Sequence, residues 1–199
     1  MAMMMTPVSL EDLQQQLEQG NSYPFYAVLL YTPLNGLNVR LHEYVESRWD
    51  FLNNLTGNNC LMVALEKRGR PIGRFRPEIV YDIARYLGVA VNQIPCLILF
   101  TDPKHRQETV VLDLNQLLSS APTDEALTTV FQDLQTVFDY CAEKNRDLYS
   151  CLRSGLNREI TRPAQVAKAG LWLRRSAAVG ATVLQALSSI TALIATVSQ

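Results

Sequence analysis

Sulfur is the first chemistry to look for in this chain. It holds four cysteines, Cys60, Cys96, Cys141 and Cys151, with no C-x-x-C pair and no spacing that would set ligands around zinc. Cys60 and Cys96 stand in apolar runs, where a cysteine behaves as a small buried hydrophobe. Cys141 and Cys151 are expected on one helix, separated by about 15 Å of rise, too far to bridge. Reduced thiols and a cytoplasmic location follow, and the segment from Met1 to Thr6 predicts no secretory leader. His42 precedes Glu43 on an expected helix, with no metal partner assigned one turn on, and His105 lies in a charged turn. Both read as surface or half-exposed side chains. Asp102, Glu108 and Asp113 come nearest to paired carboxylates, but acids at turns and strand edges are ordinarily just solvated. The sequence contains no P-loop, G-x-G-x-x-G, G-x-S-x-G or H-E-x-x-H pattern. The expectation is no catalytic residue, no cofactor and no metal.

One cluster of charge stands apart. Lys67, Arg68, Arg70, Arg74 and Arg76 crowd a segment that also holds two glycines and two prolines. Closely spaced guanidinium groups suit phosphates or an acidic partner. Arg68-Gly69-Arg70-Pro71 is similar to the core of an AT-hook, whose extended Arg-Gly-Arg lies in the narrow minor groove of A·T-rich DNA. AT-hooks sit in flexible chain, however, whereas this segment must lead from a strand to a helix within a few residues. A solvated loop, or one docking an acidic partner or phosphates, is therefore preferred over nucleic-acid binding. The net charge of −1 points the same way.

The elements that position these residues follow from periodicity. Leu10, Leu13 and Leu17 recur at helical spacing after Ser9, a natural cap, and Gly20 supplies a stop. Residues 25–32 form an apolar run between Pro24 and Pro33, which predicts a buried strand. Leu37, Leu41, Tyr44, Val45, Trp49, Leu52 and Leu55 mark one face of a single long helix. Residues 60–65 predict a second strand. Pro77 opens a helix with Ile79, Val80, Ile83 and Leu87 inward and Gly88 at its end. Residues 96–100 and 109–114 predict two more strands, linked by a polar turn that allows antiparallel pairing. Thr123 caps a last helix striped by Leu127, Val130, Phe131, Leu134, Val137, Phe138 and Cys141. The order is helix, then β-α-β-α-β-β-α: an α/β domain with a mixed sheet flanked by helices.

That order, with Gln93-Ile94-Pro95-Cys96-Leu97-Ile98-Leu99-Phe100, resembles the thioredoxin fold over roughly residues 20–142. The resemblance implies a structural cis proline at Pro95, before the third core strand. It also implies redox cysteines in the turn after the first core strand. Here that turn reads Tyr31-Thr32-Pro33-Leu34-Asn35-Gly36-Leu37, with no sulfur. Disulfide exchange needs an attacking thiolate and a resolving thiol, and the turn holds neither.

Beyond a polar linker at 154–163, the expected division leaves a thioredoxin-like domain at 1–153 and a C-terminal helical appendage at 164–199. Val166, Leu171, Trp172 and Leu173 lead into Arg174-Arg175, after which no charged side chain occurs through Gln199. Residues 177–197 are long enough, as a helix, to cross a hydrocarbon core of about 30 Å. Thr182, Gln185, Ser189, Thr196 and Gln199 form an uncharged polar stripe, with Leu187, Ile190, Leu193 and Ile194 among the apolar residues on the other sides. Three roles fit such a helix: packing in protein or self-association, anchoring the domain at the inner face of a membrane, and membrane perturbation by an oligomer around the stripe. The expected partners are another protein or a second copy, with a membrane reached through the C-terminal helix. The leading expectation is a redox-inactive interaction module of this kind. A soluble scaffold assembling through the same helix is the alternative, followed by a nucleic-acid-associated protein using the basic loop.

Overall fold

In the computed structural model of the 199-residue chain, the described residues are 4–5, 9–19, 23–32, 36–55, 59–64, 77–101, 108–120, 123–146, 148, 171–175 and 183–185. A two-residue strand, β1 (Met4–Met5), precedes helix α1 (Leu10–Gln19). Ser9 Oγ accepts from the Asp12 N–H at 3.1 Å, satisfying a donor that the first turn of a helix cannot pair internally. Next come β2 (Phe25–Leu30), α2 (Gly36–Ser47), α3 (Trp49–Leu55) and β3 (Cys60–Ala64). Helix α4 (Pro77–Leu87) ends on Gly88 at φ +67°, and a single 3-10 turn at Val91–Gln93 leads into β4 (Cys96–Phe100). The remaining elements are β5 (Glu108–Asp113), α5 (Asn115–Ser120), α6 (Asp124–Glu143), β6 (Leu171–Arg175) and β7 (Val183–Gln185).

The fold is α/β, a mixed sheet with helices on both faces. β2 lies parallel to β3, from Phe25↔Cys60 to Leu29↔Ala64, and antiparallel to β4, from Tyr26↔Phe100 to Leu30↔Cys96. β5 pairs antiparallel with β4. The order β3-β2-β4-β5 forms the centre; β1 flanks β3, and β6 then β7 extend the sheet past β5.

Alternation along the strands divides the core in two. Phe25, Ala27 and Leu29 of β2, then Tyr31, join Cys60, Leu97, Val110 and Leu112 beneath α2, α3, α5 and α6. Tyr26, Val28 and Leu30 join Leu61, Cys96, Ile98 and Val111 beneath α1 and α4. Each large apolar side chain taken from water contributes about 1.5–3 kcal/mol. Helix α6 carries the largest share of the first cluster. Thr123 Oγ1 accepts from the Ala126 N–H at 3.2 Å to start it, Phe138 stacks on Phe25 with ring centroids 5.3 Å apart, and Phe131 stacks on Tyr44 at 6.0 Å. The Tyr44 hydroxyl lies 3.0 Å from Thr128 Oγ1, giving a buried ring a polar partner across the helix pair.

Four expectations are corrected. The long helix expected over 37–55 is two helices that break at Arg48. The Arg48 N–H still reaches the Tyr44 carbonyl at 2.9 Å and the Leu52 N–H the Arg48 carbonyl at 2.9 Å, but Ser47 Oγ also donates to that Tyr44 carbonyl at 3.1 Å. Such back-bonding from a serine bends a helix. Helix α5 adds to the elements that the periodicity predicts; it starts where Asp113 Oδ1 accepts from the Asn115 N–H at 2.8 Å and from Asn115 Nδ2 at 3.0 Å. That carboxylate is thus a local cap, not merely a solvated acid. Helix α6 ends at Glu143, so Cys141 does not share a continuous helix with Cys151, which lies outside the described residues. Finally, within 164–199 the described residues 171–175 and 183–185 run as strands, not as the expected helix. β5 would otherwise leave a row of backbone donors and acceptors without strand partners, and pairing satisfies them.

Two substitutions measure this packing. Phe131→Ala is expected to lower unfolding free energy in urea by about 3–5 kcal/mol. Tyr44→Phe, which removes only the hydroxyl, should cost about 1 kcal/mol, and that loss should vanish in a Thr128→Val background if the hydrogen bond is its source.

Candidate functional site

Because β2 and β3 are parallel and β4 runs against them, the C-terminal ends of β2 and β3 and the N-terminal end of β4 share one end of the sheet. In open α/β sheets, crevices at the carboxyl ends of strands are the usual ligand sites. Tyr31 and Thr32 leave β2 here, and the Ile94–Pro95 peptide, which is cis, enters β4. Carrying the register one residue past Leu30↔Cys96 sets Tyr31 across from Pro95. Pro95 is buried, and its carbonyl accepts from the Leu114 N–H at 3.0 Å, tying the start of β4 to the end of β5.

The first part of α2 lies at the same end. Gly36 starts it at φ +51°, in the left-handed region that favours glycine. Two residues on, Asn38 Oδ1 accepts from the Thr32 N–H at 3.1 Å, which fixes how the chain leaves the sheet. His42 follows, only 6 % exposed, its ring centroid 6.1 Å from that of Tyr31 and tilted by 39°. Burial holds its pKa below the ordinary imidazole value, and the charges of Glu46 and Glu43 oppose that shift only in part. The neutral imidazole is therefore favoured at this corner. Tyr31, Thr32 and His42 are buried and Asn38 half-buried at this corner, where the bond from the Thr32 N–H to Asn38 Oδ1 ties the exit of β2 to α2.

The sulfurs are elsewhere. Cys60, Cys96 and Cys141 are buried free thiols. Burial pushes Cys60 and Cys96 well above the ordinary thiol range, with the charge of Asp113 adding to the rise at Cys96. Cys60 belongs to the cluster under α6 and Cys96 to that under α4, so the sheet itself separates them. A protonated thiol in an apolar site is a poor nucleophile.

The chain matches no family model, no characterised relative and no solved structure.

Of the residues singled out in the sequence, Pro95 stands at this end of the sheet. Lys67, Arg68, Arg70, Arg74 and Arg76 lie outside the described residues, although β3, from which their segment departs, ends at this same side. Trp172, Arg174 and Arg175 fall on β6 and Gln185 on β7; Leu187, Ile190, Leu193 and Ile194 lie outside the described residues. Among the described residues, no helix is long and apolar enough to cross a membrane, and no group of three or more His, Cys, Asp or Glu side chains is placed to hold a metal ion. His42 corrects the expectation of a surface histidine, and Glu46 at i+4 corrects the expectation that no possible metal partner stands one turn on. The signal that was available is its place immediately after Leu41, on the edge of an apolar helical stripe.

The depressed pKa of His42 has a thermodynamic sign. The unfolded chain binds the proton more tightly than the folded one, so stability is full above the unfolded value near 6.5 and declines as the pH falls below it. The urea midpoint is expected to drop between about pH 7.5 and about pH 5.5, and to drop less in His42→Gln. Parallel pH profiles for the two proteins would remove His42 as the cause.

Proposed function

We propose that the chain is a non-enzymatic recognition module with a thioredoxin-like arrangement, carrying a C-terminal segment that attaches it to a membrane. Support for the arrangement comes from the order β3-β2-β4-β5, the helices on both faces, and the Ile94–Pro95 step into β4. The observation that carries the functional reading is the absence of sulfur from Tyr31 to Leu37, the turn in which thiol enzymes of that fold keep their nucleophile. The buried thiols do not substitute for it.

The membrane half rests on residues 176–199, which contain no charged side chain and directly follow Arg174-Arg175. Basic residues beside an uncharged segment favour retention on the cytoplasmic side of a bilayer. A second reading, a soluble scaffold whose C-terminal segment packs on its own sheet or on another copy, is favoured by the pairing of β6 with β5.

Flotation through a density gradient with vesicles of phosphatidylcholine and phosphatidylglycerol separates the two. The full chain is expected to rise with the vesicles, and Leu187→Arg with Ile194→Arg to cut the floated fraction at least about tenfold. Recovery of the unmodified chain entirely at the bottom would favour the scaffold, for which Gln185→Leu should change the sedimenting size. In parallel, the thiols of Cys60, Cys96 and Cys141 should react with Ellman's reagent only on unfolding, and turnover of a protein disulfide by the purified chain would refute the recognition reading.

A further inference from the structure

We draw no further inference here: the strongest candidate, the buried imidazole of His42 on α2 beside the Tyr31 ring at the exit of β2, belongs to the corner already described, and its proton linkage is the one already derived there.

Discussion

Burial of both faces of β2 is the constraint on which the rest of this molecule depends. All six residues from Phe25 to Leu30 are shielded from solvent, so helices must cover the sheet on each side and strands must flank it along each edge. β3 and β4 supply the edges in opposite directions. That opposition brings the exit of β2 and the entry of β4 to one end of the sheet. Burial continues past the strand through Tyr31 and Thr32, which pack beside the first turns of α2.

Much of this was legible in the residues. The strands at 25–30, 60–64, 96–100 and 108–113 sit within a residue or two of the apolar runs that predict them. α4 begins at Pro77 and α6 at Asp124, each beside its capping or opening residue. These elements were readable because local preference, capping and apolar period agree in each. The mixed α/β sheet followed from their order.

What was not legible depended on contacts that no local pattern encodes. The apolar stripe runs through residue 48 without interruption, while the break there reflects one hydroxyl competing for one carbonyl. α5 is six residues long, too short to display a period, and it owes its start to Asp113. His42 sits on a helix edge that packs against Tyr31, eleven positions earlier and just past β2. For residues 171–175 the run Leu-Trp-Leu satisfies a helical and a strand pattern alike, and the available edge of β5 decides between them. The same gap limits the functional reading, because this corner draws on the exit of β2, the start of α2 and the entry to β4, while only Pro95 carried a motif.

The placement of Cys60 and Cys96 on opposite sides of the sheet bears on how the protein meets an oxidising environment. An internal bridge between them would have to pass through the hydrogen-bonded layer that the whole domain is folded around, so the native state has no such path to a cystine. Hydrogen peroxide or diamide would first encounter whichever sulfur solvent can reach, and neither of these two is available while the sheet is intact. Oxidants are thus kept from this pair, leaving its buried sulfurs as inert filler.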